Sequence, residues 1–87
     1  MRLDKYLKLT RLIKRRTVAK ELADRDLFYI NGKIAKASSQ VNIADVVLLQ
    51  LGRRKVEIKV LKICDFCKKD ESQTLFEIIN EEIIENA

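Results

Sequence analysis

The chain has 87 residues, of which 47% are hydrophobic and 36% charged, with a formal net charge of +5. This length fits a single domain with a modest core, and the absence of proline and low-complexity runs excludes a disordered segment. No apolar run approaches the roughly 20 residues that span a bilayer, and the amino terminus has no signal-peptide core. These features predict a cytoplasmic protein without a membrane partner.

The charge is distributed unevenly along the chain. Residues 1–36 hold 11 basic and 4 acidic groups, residues 37–62 hold 5 and 2, and residues 63–87 hold 2 and 7. A basic front half followed by an acidic tail favours a polyanion as partner for the first part only. A solvated basic surface is the alternative explanation of the same split.

Histidine is absent from the chain, which argues against enzymatic catalysis. Without an imidazole, triad chemistry and the commonest metal ligand are both missing, so we predict no catalytic residue, no metal and no cofactor. Cys64 and Cys67 form a C-x-x-C motif, but two thiols cannot complete a four-ligand zinc site in one chain. We interpret them as ordinary reduced cysteines, and zinc shared across a dimer is left open.

Two short helices are predicted near the amino terminus. Leu3, Tyr6 and Leu7 recur at helical spacing, and a connector over residues 9–13 follows them. The second helix covers about residues 15–24, with an apolar stripe from Val18 to Ala23. Arg15 is expected at its fraying start, and Thr17 as N-cap is the alternative.

Strands are predicted after the helices. Residues 27–30 and 33–35 flank Asn31-Gly32, the strongest short hairpin signal. Residues 46–51 and 55–63 form a second hairpin, with a bulge expected near Val60, where the alternation changes phase. Thr74-x-x-Glu77 resembles a capping box, so a short acidic helix is expected at the carboxyl terminus.

The first third of the chain concentrates basic side chains and predicts a surface that binds RNA phosphates. Lysine and arginine neutralise phosphates and release counterions, and arginine adds a planar fork that grips phosphate. Few aromatics are available for stacking, which favours recognition of structured RNA by shape and phosphate. Asn31-Gly32-Lys33 suits either a purely structural turn or an RNA contact. The basic candidates are Arg2, Lys5, Lys8, Arg11, Lys14, Arg15, Arg16, Lys20 and Lys33.

Several separated motifs occur in an order that resembles a known RNA-binding family. They are Arg2-Leu3-Asp4-Lys5-Tyr6-Leu7, Arg11-Leu12-Ile13-Lys14-Arg15-Arg16-Thr17, Ala19-Lys20, Asn31-Gly32-Lys33 and Ala35-Lys36. Over residues 1–50 they resemble the RNA-binding domain of small-subunit ribosomal protein S-four. Within that superfamily the chain is similar to stand-alone bacterial RqcP-like quality-control factors and to the fifteen-kilodalton heat-shock protein. Two positions depart from the pattern, because the family usually has proline at Ala37 and glycine at Ala44.

The resemblance implies specific partners and contact residues. RqcP-like proteins bind large ribosomal subunits carrying an obstructed peptidyl-tRNA, contact large-subunit rRNA and tRNA, and support tailing of the stalled chain with an RqcH-like tailing factor. The family's RNA-contact positions map onto Arg2, Lys5, Arg11 and Arg16, with Asp4 in the same motif. The other basic candidates rest on the charge pattern alone. A monomer is expected.

The predicted fold class is α+β, with a two-helix RNA-binding motif packed on a small, mainly antiparallel sheet. We expect an RNA-binding domain over residues 1–63 and an acidic extension over residues 64–87. Three alternatives to the tailing role stay open: recycling of large subunits carrying nascent chains, the RNA-targeting domain of an rRNA-modifying enzyme, and a protein-interaction module built on the acidic terminus.

Overall fold

Two helices are followed by five strands in the computed structural model, which describes residues 1–65 and 68–83, without the side chains of Arg16 and Lys69. The elements are α1 (Leu3–Leu9), α2 (Arg16–Asp24), β1 (Phe28–Ile30), β2 (Lys33–Ile34), β3 (Val46–Leu51), β4 (Arg54–Val60), a 3₁₀ helix (Lys69–Thr74) and β5 (Phe76–Ile83). This arrangement confirms the predicted α+β class. No helix among the described residues is long and apolar enough to cross a membrane.

The helices bury most of the apolar faces that the spacing predicts, but Val18 of the predicted α2 stripe is 40% exposed. Leu3, Tyr6 and Leu7 of α1 are fully buried, and Ala19 and Ala23 of α2 join them in the core. Residues three and four apart lie on one helix face, so each helix presents a single apolar stripe to the sheet. Small alanines on α2 leave room for the bulkier side chains of α1. The helix pair is therefore held by a shared core, with its cations left outside.

The five strands form one antiparallel sheet in the order β2-β1-β3-β4-β5. Val47 and Leu49 of β3, and Val56, Ile58 and Val60 of β4, are fully buried, whereas their neighbours in each strand are more accessible. Side chains alternate between the faces of a strand, so one face of the sheet packs on the helices. β4 ends at Val60, and the bulge predicted there is wrong. The register shift lies between Glu57 and Ile58, opposite β5.

The Asn31-Gly32 turn joins β1 to β2 as predicted. Both residues have positive φ, 51° and 83°, which is the backbone of a type I′ turn. The Asn31 side chain also fixes the start of β3, because its Oδ1 accepts from the Val46 N–H at 2.9 Å and its Nδ2 donates to Asp45 Oδ1 at 3.1 Å. The structure thus gives Asn31 a structural role.

Asn31→Ala should lower the free energy of unfolding by about 1–2 kcal/mol, because two hydrogen bonds are lost and alanine tolerates positive φ poorly. RNA affinity of the folded variant should stay unchanged. Denaturant unfolding and an RNA titration on the same sample measure both. Asn42→Ala is the matched control, since the described hydrogen bonds of Asn42 use only its backbone. Weaker RNA binding by folded Asn31→Ala would contradict a purely structural role.

Ala44 adopts a backbone conformation that usually requires glycine. Its φ is 75°, and its N–H donates to the Val60 carbonyl at 2.8 Å. The family that the sequence resembles usually has glycine at this position. The turn geometry is thus kept here with an alanine, at a cost of about 1–2 kcal/mol.

The acidic helix predicted at the carboxyl terminus is wrong. Residues 76–83 form β5, which pairs along the whole length of β4, from Val60↔Phe76 to Arg54↔Ile83. Without β5 the outer edge of β4 would leave its N–H and C=O groups unpaired. Pairing of these backbone groups outweighs the helical spacing of residues 76–83. The isoleucines of this segment suit a strand as well as a helix. The division into residues 1–63 and 64–87 stays a prediction, and β5 continues the sheet of the first segment.

Candidate nucleic-acid interface

The amino-terminal end of α1 holds an ion pair whose geometry presents Arg2 to solvent. Asp4 is buried, and its two carboxylate oxygens accept from Arg2 Nε at 3.3 Å and Nη2 at 3.2 Å. Asp4 Oδ1 also accepts from the Lys5 N–H at 2.8 Å. A carboxylate repels phosphate, so Asp4 acts here by orienting the guanidinium. The remaining N–H groups of Arg2 stay available for an anion.

A loop over residues 37–41 fixes the position of this ion pair. The backbone N–H groups of Leu3 and Asp4 donate to the carbonyls of Ser39 (2.8 Å) and Ala37 (3.0 Å). These are first-turn donors of α1 that have no partner within the helix. The loop therefore anchors the start of α1, and with it the Arg2–Asp4 pair.

Lys5 and Lys8 follow along α1. Lys5 Nζ lies 3.8 Å from Asp65 Oδ1, but the Asp65 side chain is 96% exposed. An ion pair this accessible is weak and screened by salt, so phosphate can compete for Lys5. Lys8 is exposed near the end of the helix. Both lysines are accessible to a polyanion.

Arg11 occupies a strained position just after α1. Its φ is 63°, and its N–H donates to the Lys8 carbonyl at 3.1 Å, which closes the helix. Helices that end in this left-handed conformation usually place glycine there, because a side chain costs about 1–2 kcal/mol. Strained non-glycine residues cluster at functional sites. Asp26, Asn31 and Ala44 share this conformation, so it is the exposure of the Arg11 side chain that suits it to bind an anion.

Arg11, Lys14 and Arg15 converge on one open groove of about 440 Å³ between the α1–α2 connector and the β3–β4 turn. All three side chains are exposed. Leu12, Ile13, Val18 and Leu51 also line the groove, together with Arg54. We call this feature the basic groove. It combines a cationic rim with apolar walls.

The remaining candidates lie outside this groove. Lys20 is exposed on α2 and Lys33 is exposed in the edge strand β2, and neither lines the groove. Arg16 begins α2, and its side chain lies outside the described residues. The structure thus brings together one set of candidates at the basic groove and another at the start of α1.

Sequence reasoning missed Arg54 and its partner Glu81. Arg54 Nε donates to Glu81 Oε1 at 2.8 Å, and Nη2 donates to the same oxygen. The residues stand 27 positions apart and meet only because β5 pairs with β4. A sequence pattern that assigned residue 81 to a helix gave no signal for this contact.

Tyr6 links the same helix to the carboxyl-terminal segment. Its hydroxyl donates to the Leu75 carbonyl at 2.8 Å. Burial raises the pKa of the Tyr6 phenol, and the nearby Cys64 thiol adds to the effect. The phenol therefore stays protonated over the physiological range and keeps this hydrogen bond.

Among residues 1–65 and 68–83, no group of three or more histidine, cysteine or acidic side chains is placed to hold a metal ion. Cys64 is a free, half-buried thiol. Cys67 lies outside the described residues, so the C-x-x-C interpretation stays a prediction.

The helix pair with its basic connector and Asn-Gly hairpin matches a defined class of protein. Residues 1–47 match the S4 domain, and the chain belongs to the S4 domain family. It is 46% identical to the RQC P-site tRNA stabilizing factor of Streptococcus pneumoniae, over 98% of this chain and 97% of that protein. The protein of the same name from Bacillus subtilis is 48% identical, over 94% of this chain and 95% of that protein.

Solved structures show the same fold. The trimeric structure of Vibrio cholerae Heat Shock Protein 15 superposes with a TM-score of 0.82 at 32% identity, covering 90% of this chain and 80% of that chain. A hypothetical protein with a solution structure gives a TM-score of 0.78 at 27% identity, covering 94% of this chain and all of that one. The resemblance predicted from the motifs is confirmed.

Proposed function

We propose that this protein is a non-catalytic, cytoplasmic RNA-binding factor of ribosome-associated quality control. It binds large ribosomal subunits that carry an obstructed peptidyl-tRNA and stabilises the tRNA in the P site. The observation that carries the proposal is the convergence of Arg11, Lys14 and Arg15, all within the segment that matches the S4 domain, on one groove. The names of the nearly full-length relatives support the tRNA-stabilising role.

The mechanism is binding and positioning. The basic groove and the oriented Arg2 meet the sugar-phosphate exterior of rRNA and tRNA, and Lys5, Lys8, Lys20 and Lys33 add attraction around them. Arg16 belongs to the proposed contact set through the S4 motif. Holding the tRNA in place lets an RqcH-like tailing factor extend the stalled chain. The protein is expected to act as a monomer.

The test is co-sedimentation of the labelled protein with purified large subunits, with and without bound peptidyl-tRNA. Subunits with peptidyl-tRNA should bind more tightly. If about five phosphates are engaged, the logarithm of the association constant should fall by about 4 units per tenfold rise in salt. The control is Lys59→Ala, a charge loss at an exposed position in β4 outside the groove. A flat salt dependence, or equal binding to empty subunits, would refute the proposal.

A recycling role for dissociated large subunits is the second candidate, favoured by the similarity to Vibrio cholerae Heat Shock Protein 15. The two roles predict different products in cells that lack the protein. Loss of carboxyl-terminal tails on stalled chains supports the quality-control role. Normal tailing with accumulation of subunits bearing nascent chains supports recycling.

A further inference from the structure

The basic groove extends beyond the part of the chain that matches the S4 domain. That match ends at residue 47, whereas Leu51 ends β3 and Arg54 begins β4, on either side of the turn between them. This turn approaches the α1–α2 connector, which supplies Arg11, Lys14 and Arg15. The groove is therefore a composite of the family motif and the following hairpin.

Arg54 is held in a fixed orientation on this rim. Glu81 Oε1 accepts from both Nε and Nη2 of Arg54, and the Arg54 side chain is 54% exposed. The pairing occupies Nε and Nη2, so a ligand would meet the part of the Arg54 side chain that remains exposed. A planar guanidinium held this way can stack on a nucleobase as well as contact a phosphate.

The walls of the groove are apolar, although a site that bound only phosphate would need no apolar surface. Val18 is 40% exposed on α2, and the half-buried Leu12 and Leu51 lie beside it. The groove is open, with a volume of about 440 Å³, so a ligand would lie against its walls and keep one side in solvent. Four cations around apolar walls complement a ligand that has both a flat apolar part and negative charge.

We propose that the basic groove is a binding site for one unpaired nucleotide of folded RNA. Its base packs on Val18 and Leu51 and stacks against the Arg54 guanidinium. Arg11, Lys14 and Arg15 bind the flanking phosphates. Glu81 is a positioning residue that keeps the plane of the Arg54 guanidinium parallel to the base. This inference rests on the proposed RNA-binding function and adds a subsite that selects unpaired nucleotides.

The test compares two RNA hairpins with equal numbers of phosphates, one with a single bulged nucleotide and one fully paired. The wild-type protein should bind the bulged hairpin about tenfold more tightly, because stacking of one base on a side chain contributes roughly that gain in affinity. Arg54→Ala and Val18→Asn should lose this preference, and Arg54→Ala should weaken binding to the paired hairpin only as much as another single charge loss does. Lys59→Ala is the charge control for Arg54→Ala, because it lies at the other end of β4, about 16 Å away.

Glu81→Gln separates positioning from charge. The substitution raises the net charge by one, so electrostatics alone would tighten binding to both hairpins. A positioning role predicts instead a smaller preference for the bulged hairpin. Circular dichroism on each variant verifies that it is folded.

Three outcomes would overturn the inference. Equal affinity of the wild type for both hairpins removes the nucleotide site and leaves the RNA-binding function intact. Failure to bind either hairpin or the large subunit refutes the proposed function as well. The third outcome combines two results: the wild type shows no preference for the bulged hairpin, and it binds an acidic, apolar peptide in the groove that Arg54→Ala no longer binds. This outcome would assign the groove to a protein partner.

Discussion

Leu75→Ala should lower the free energy of unfolding by about 2–5 kcal/mol, because it removes buried methyl groups and leaves a cavity. Leu75 is 1% exposed and lies in the core cluster, although it precedes the acidic strand β5. Its carbonyl also accepts from the Tyr6 hydroxyl and from the backbone N–H of Leu61. Chemical denaturation followed by far-ultraviolet circular dichroism measures the effect.

Leu61→Ala provides the matched control for this substitution. Leu61 is 44% exposed, so its substitution by alanine should lower the free energy of unfolding much less than Leu75→Ala does. Equal losses for the two variants would mean that the carboxyl-terminal segment does not pack as described. The same contacts predict that deletion of residues 72–87 unfolds the protein, so such a deletion would not test the terminus as a separate interaction module.

Arg11→Gly should weaken RNA binding about 10–100-fold, because one charge-assisted contact to phosphate is lost. The same substitution should relieve strain, since Arg11 has a φ of 63° at the end of α1. We therefore expect Arg11→Gly to be about 1 kcal/mol more stable than Arg11→Ala, which keeps the strain. Stability and binding should move in opposite directions.

Arg11→Lys completes this series. It keeps the charge and the strained backbone but loses the planar fork, so its affinity should fall between those of the wild type and Arg11→Ala. Urea unfolding and a salt-controlled RNA titration give both quantities for each variant. If Arg11→Gly bound RNA as well as the wild type, Arg11 would not belong to the interface.

The sequence predicted the parts of the fold that depend on neighbouring residues. The stripe of Leu3, Tyr6 and Leu7 predicted α1, and Asn31-Gly32 predicted the first hairpin, because helical spacing and turn chemistry are local. Charge clustering predicted that Arg11, Lys14 and Arg15 share a surface, and the basic groove brings them together. The placement of Lys20 and Lys33 outside that groove depends on tertiary packing, which spacing does not encode.

The predictions that were wrong concern contacts between distant residues. The Ile79 and Ile83 spacing suits a helix locally, but the open edge of β4 recruits this segment as β5. The Arg54–Glu81 pair and the second role of Asn31 at Val46 follow from that kind of pairing. Each requires the sheet order, which no single segment specifies.

The Tyr6–Leu75 hydrogen bond joins residues 69 positions apart in the chain. During synthesis, α1 leaves the ribosome well before Leu75, so the Tyr6–Leu75 hydrogen bond forms only after Leu75 has emerged. Domains commonly fold from the amino terminus as they are made. Here α1 completes its packing only after β1–β4 have been made, because Leu75 follows those strands in the chain.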